Sequence, residues 1–179
     1  LFEAAAQSDM SAVVLRLPLV YGRDNKGNLP RMIAAIDRGR FPPLPDTANK
    51  RSMVHVDDVV QALMLAAERP EAVGRVYLLT DGQTYSTRQM YELICTALGR
   101  EAPSWSVPLW LLRTGARTGD LLKTLGMRRF PVDSGMLEKL LGSAWYSSDR
   151  IVDELGYHPT WTLDTALPQM VAEYRAGKN

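Results

Sequence analysis

Few side chains in this sequence could do chemistry on their own, and those that could bind do so by position. Arg51 follows Lys50 in a polar loop. A guanidinium suits a phosphate because it is planar, permanently charged and able to bond two oxygens at once. By spacing alone the same pair also reads as a solvated loop charge. Asn28 stands where a helix should open, so its amide can cap that helix or, with the free N–H groups behind it, meet an anion. His55 closes a short apolar run and reads as a strand-end histidine that bonds backbone; His158 is far away in sequence. Asp58, three residues before Gln61, makes a capping-box pattern and is assigned to capping. There is no convincing Ser/His/Asp order, no His/Cys cluster, no P-loop and no glycine-rich dinucleotide fingerprint after a strand.

The elements that must position these residues begin with Val13–Gly22. Five residues from Val13 to Leu17 end at Pro18, and Leu19-Val20 then run into Tyr21-Gly22. So short an apolar run, bounded by Pro and Gly, predicts a strand buried on both faces. Pro18 lacks the N–H that the ladder needs, so the following residues should be a loop at the strand's carboxyl end, where open α/β sheets bind ligands. Leu29, Met32, Ile33 and Ile36 predict a helix from Asn28 to Gly39, and Ser52–Val56 a short strand. The next helix, from Val59 to Ala67, is apolar nearly all round, which predicts burial against a sheet. Val76–Leu79 is a further strand, and the crossover to it implies parallel pairing.

Ser86 with Gln89 repeats the capping-box spacing ahead of a stripe formed by Met90, Leu93, Ile94, Ala97 and Leu98. From Pro103 to Leu141 the pattern is helical but interrupted by Gly115, Gly119, Gly126 and Pro131, which predicts a subdomain of short helices. Ser147 or Ser148 caps a helix that Gly156 stops, and Thr162 caps a last one with Leu163, Ala166, Leu167, Met170, Val171 and Tyr174 on one face. Pro168 lies inside that helix with no account in the sequence.

Composition narrows the classes. In 179 residues, 46% hydrophobic and 23% charged, the net charge is +1 and no basic block stands out, so neither nucleic acid nor an anionic membrane gains support from overall charge. The most apolar stretch, Val107–Leu112, is far too short to span a bilayer. A single cysteine, Cys95, suits a reducing cytoplasm. Leu1-Phe2-Glu3-Ala4-Ala5-Ala6 reads as the last turns of a helix already under way, as expected of a chain that continues upstream.

Taken in order, these segments resemble one family. Arg16-Leu17-Pro18-Leu19-Val20-Tyr21-Gly22 resembles the Arg-x-x-x-Val-Tyr-Gly segment of the extended short-chain dehydrogenases, the NAD-dependent epimerase/dehydratase family. Arg51 to Asp58 is similar to its Arg-x-x-x-His-Val-x-Asp. Asn28-Leu29, the strand Val76–Leu79 leading to Ser86, and Leu155-Gly156-Tyr157-His158-Pro159 follow in the family's order. The closest flavour is the UDP-glucose 4-epimerase-like branch, which includes surface-polysaccharide epimerases and 4-keto reductases.

The resemblance implies an α/β fold: the C-terminal part of a Rossmann-like parallel sheet plus a small, mostly helical substrate-binding subdomain. It places the dinucleotide loop and the family's catalytic Tyr-x-x-x-Lys upstream of Leu1, so residues 1–179 alone would lack the catalytic base. It implies NAD or NADP as cofactor, with Pro18, Leu19 and Val20 along the nicotinamide, and a UDP-type nucleotide-sugar held by Asn28, Arg51 and, as a weak substitute for a second arginine, Lys139. Arg128 and Arg129 are alternatives to Lys139. Hexose epimerases carry an Asn at the position of Leu19, which leaves room for a relative acting on a hydrophobic alcohol or ketone, or for a binding member without turnover. A homodimer or larger species is expected from the open sheet edge.

Overall fold

The computed structural model describes residues 2–25, 27–124 and 134–177. The chain divides into two compact units. The first comprises Leu1–Arg31, Ser52–Thr84 and Trp145–Asn179, and the second Met32–Arg51 and Tyr85–Ala144. Helices and parallel strands alternate, so the α/β class and the parallel pairing expected from the crossover are both observed.

In the first unit, strand β1 (Val14–Arg16) follows helix α1 (Phe2–Ala6). It pairs in parallel with β4 (Val76–Leu78), Val14 opposite Val76. Val14 and Leu15 are half-buried and Arg16 is exposed, so the strand is not buried on both faces as its composition suggests. The loop expected after Pro18 is instead a second strand, β2 (Leu19–Tyr21), parallel to β3 (Arg51–His55) with Tyr21 opposite His55. The physical reason is local. Pro18 interrupts one ladder, but Leu-Val-Tyr is a strong strand former and finds a second partner at once. A short β5 (Thr84–Tyr85) completes the order β2-β3-β5.

β3 passes without a loop into α3 (Val56–Glu68). The capping residue is therefore His55, whose Nδ1 accepts from the Asp57 N–H at 3.2 Å, and not Asp58. Only one face of α3 is covered. Ala62 and Ala66 are buried, while Val60, Leu63 and Met64 are 51%, 53% and 59% exposed, against the expectation of all-round burial. A 3₁₀ turn (Pro70–Ala72) follows, and helices α7 (Asp149–Leu155) and α8 (Leu163–Ala176) complete the unit. Val54, Tyr77, Leu79, Ile151 and Tyr157 lie at its centre, each with no exposed surface. The expected face of α8 is the buried one, and the helix continues through Pro168.

The second unit holds most of α2 (Asn28–Asp37), α4 (Thr87–Ala97), α5 (Leu109–Thr124) and α6 (Ser134–Leu141). The Ser86–Gln89 capping box closes as the spacing predicts: Ser86 Oγ accepts from the Gln89 N–H and Gln89 Oε1 from the Ser86 N–H. Behind it Met90, Ile94, Cys95 and Leu98 are buried with Leu44 and Ile36. Gly115 and Gly119 do not break the chain into short helices, because α5 runs through both. An interior glycine costs about 1 kcal/mol, less than the packing of Leu109, Leu112 and the buried Ala116 on one face returns. Gly126, Pro131, Arg128 and Arg129 lie outside the described residues.

Candidate substrate-binding site

The cofactor-side candidates lie in the first unit. Pro18, Leu19 and Val20 are half-buried at the switch from β1 to β2. They present no polar side chain, so the surface fits the face of an aromatic ring and not a phosphate. Just beyond, Gly22 has φ +129, and a Cβ there would stand 2.7 Å from Val56 Cγ1 and 2.9 Å from His55 Nε2. Both the backbone angle and the close approach require glycine.

The His55 ring is thereby packed on several sides. It stacks on Trp161 at 4.5 Å between centroids and meets Tyr21 edge-on at 5.3 Å. Nδ1 accepts from backbone, so the neutral ring carries its proton on Nε2. Burial holds the imidazole below the usual histidine range; the carboxylates of Asp57 and Asp58 oppose this, and Arg23 reinforces it. Burial prevails because Asp57, 3.7 Å away, is 57% exposed and its charge is screened by water. The bland reading of His55, a backbone-bonding strand-end residue, is the observed one.

Asp58 is buried and has a different task from the one expected. Its Oδ1 accepts from the Thr160 N–H and hydroxyl, both at 2.9 Å, and its Oδ2 from the Trp161 N–H at 3.2 Å. It ties down the loop that carries the ring stacked on His55. Tyr21 donates its buried hydroxyl to Asp81 Oδ2 at 2.9 Å. Tyr157 donates to the Thr80 carbonyl at 3.2 Å, and burial near Asp58 and Asp81 pushes its phenol above the usual range. Asn28 is exposed at the first position of α2. The amide that organises the loop ahead of it is Asn25, which donates to the Val20 carbonyl at 2.7 Å and accepts from the Gly27 N–H at 2.6 Å.

Arg51 and Lys139 belong to the second unit. Arg51, the first residue of β3, is half-buried, and burial lowers its pKa from the ordinary guanidinium value. The loop that delivers it is fixed by Asn49, a residue sequence reasoning passed over. Asn49 Nδ2 donates to Thr87 Oγ1 at 3.0 Å and to the Gly142 carbonyl at 3.2 Å, while Oδ1 accepts from the Thr87 N–H at 3.0 Å. Ser143 Oγ accepts from the Lys50 N–H at 3.1 Å, and the Lys50 carbonyl accepts from the Ala144 N–H at 2.8 Å. Ala48 is held at φ +51 beside this clamp. The signal was weak, since an asparagine in a polar loop is ordinary until its burial is known. Lys139 is exposed in the last turn of α6. A cavity of about 410 Å³ does open between α5 and α6, and its cations are Arg113 and Arg117, with Ser134, Leu137, Glu138 and Leu141 around them.

The spacing Tyr-x-x-x-Lys does occur once, at Tyr174 and Lys178, although the resemblance places the family's pair upstream. Tyr174 is on the final turns of α8, and Lys178 lies outside the described residues.

Comparison with known proteins agrees with this architecture. Residues 1–79 match the sequence model of the NAD dependent epimerase/dehydratase family. A UDP-glucose 4-epimerase from Vibrio cholerae is 27% identical over 98% of this chain and 50% of its own length. A 2-alkyl-3-oxoalkanoate reductase from Stenotrophomonas maltophilia is 25% identical over 97% of this chain and 54% of its own. Among solved structures, a UDP-glucose 4-epimerase from Thermotoga maritima, crystallised with UDP-glucose, superposes with a TM-score of 0.68 at 20% identity, covering 99% of this chain and 50% of that one. These findings make the chain similar to the NAD-dependent epimerase/dehydratase family in sequence over residues 1–79 and in fold throughout. It spans about half the length of the relatives it matches.

Proposed function

We propose that this chain is the C-terminal, substrate-binding part of an NAD(P)-dependent nucleotide-sugar epimerase, 4-keto reductase or dehydratase, with the dinucleotide loop and catalytic tyrosine supplied by preceding sequence. The observation that carries the reading is Arg51: a guanidinium half-buried at the head of β3, on a loop clamped by the buried Asn49. A surface charge needs no such frame. A group that grips a diphosphate does, because a bidentate bond is lost when the fork drifts. In the first unit, Asn28 supplies an amide ahead of the free N–H groups of α2.

NAD or NADP, when bound, accepts or returns a hydride at a sugar carbon. Pro18, Leu19 and Val20 orient the nicotinamide ring and exclude water from its reacting face. Epimerisation returns the hydride to the opposite face of a keto-sugar, whereas a reductase stops after one transfer. Residues 1–179 alone bind a UDP-type nucleotide weakly and do not turn it over. Synthesis of surface polysaccharide in the cytoplasm is the setting that suits such an enzyme.

A second reading keeps the chemistry and changes the substrate to a hydrophobic alcohol or ketone. It is favoured by Leu19, which offers no amide to a sugar, and by the similarity to the 2-alkyl-3-oxoalkanoate reductase. Assaying the full-length protein with UDP-glucose and with a long-chain β-ketoacid, following NAD(P)H absorbance, separates the two. Turnover of the nucleotide-sugar is expected; turnover of the ketoacid alone would overturn the first reading.

We also propose that the chain self-associates. Among the described residues β1 pairs only with β4, which leaves its other edge open. Light scattering should return a dimer or larger species, and a monodisperse monomer would contradict this.

A further inference from the structure

The exposed face of α5 is the feature that nothing above uses. Trp110 is 67% exposed and Leu111 48%, and Trp105, just ahead of the helix, is 61% exposed. Arg113 and Arg117 follow Trp110 at i+3 and i+7, so all three share one side of the helix, and both arginines are exposed. The adjoining flank, with Leu109 and Leu112 half-buried and Ala116 buried, packs into the unit. Between Glu101 and Asp120 the sequence holds no acidic residue. An indole, a leucine and two exposed cations on an amphipathic helix, with a second indole just ahead of it, are the composition of a segment that lies in a lipid headgroup layer. The indoles seat at the boundary, and the guanidinium groups meet phosphate.

We propose that this face of α5 docks the protein onto the surface of an anionic phospholipid bilayer. Trp105, Trp110 and Leu111 enter the interface, while Arg113 and Arg117, which also line the open α5–α6 cavity, bind headgroup phosphates. Glu138 lines the same cavity, the one carboxylate among the described residues of that lining, beside two cations. The bare face of α3 makes the contrast. Val60, Leu63 and Met64 are equally exposed, but the charges of that helix are Asp57, Asp58 and Glu68. An anionic surface would repel it. A net charge of +1 conceals the difference, because it averages a cationic helix with acidic ones. The association is peripheral: no helix among the described residues is long and apolar enough to cross a membrane.

Co-sedimentation of the chain with phosphatidylcholine vesicles, with and without phosphatidylglycerol, tests this independently of any nucleotide. Binding is expected only with phosphatidylglycerol and should weaken as salt rises. Arg113→Gln/Arg117→Gln should lower the partition coefficient by about thirtyfold, since each cation near such a surface contributes about 1 kcal/mol. Trp110→Ala should also reduce it while leaving the circular dichroism spectrum unchanged. Absence of binding at low salt would overturn the proposal. So would equal binding to both vesicle types, or self-association that Trp110→Ala abolishes without any vesicle binding, since a second copy would then own the patch.

Discussion

At the scale of single residues, His55 and Gly22 define each other. Burial depresses the His55 pKa, so the folded state holds the neutral ring and takes up a proton less readily than the unfolded chain. Between the depressed folded value and about 6.5, the unfolded state binds more protons, and stability therefore rises with pH across that window. Urea denaturation at a series of pH values should show the loss as pH falls through about 6.5, and His55→Gln should flatten that part of the profile. An unchanged slope in the variant would assign the dependence to another group. Gly22→Ala combines a backbone angle that alanine adopts poorly with a Cβ inside van der Waals distance of Val56 and His55. It should destabilise by about 2–4 kcal/mol, read as a fall in the urea midpoint. A change below about 0.5 kcal/mol would show that the β3–α3 junction yields easily.

At the scale of elements, what could be read from the sequence was whatever local chemistry decides. The Ser86 capping box, the αL glycine at Gly156 and the stripe of α8 each depend on residues within one or two turns, and all are observed. Misreadings arose where a distant partner decided. β2 exists because β3 lies alongside it, whereas Pro18 alone argues for a loop. Asp58 lies three residues before Gln61 as a cap should, yet its carboxylate serves a loop about a hundred residues away. Asn49, the residue that fixes Arg51, becomes visible only when α4 and the end of α6 come to it. Pro168 is the element-scale test. It removes the N–H that would bond the Asp164 carbonyl, and it is exposed on a helix that continues regardless. Pro168→Ala should therefore raise stability by about 1–2 kcal/mol, the restored bond being partly offset by a more flexible unfolded chain. Calorimetric melting gives the sign. A lower midpoint would mean that the bend at Pro168 is needed to seat Leu163 and Leu167.

At the scale of the whole molecule, the family motifs fall into two groups by unit. The apolar Pro18–Val20 wall and the packed His55 belong to the first unit, whereas Arg51 and its clamp belong to the second. The resemblance singled out Pro18–Val20 and Arg51 because it reads motifs in order. Arg113 and Arg117 were not legible in that way, since surface exposure and cavities are properties of the folded helix pair and not of spacing. The most direct measurement is calorimetric titration of the full-length protein with UDP, comparing the parent sequence with Arg51→Ala and Lys139→Ala. Loss of a charge-assisted bidentate contact should weaken binding at least about tenfold in Arg51→Ala, with a much smaller change in Lys139→Ala. Equal affinity of Arg51→Ala and the parent would contradict the diphosphate role and, with it, the nucleotide-sugar reading of this chain.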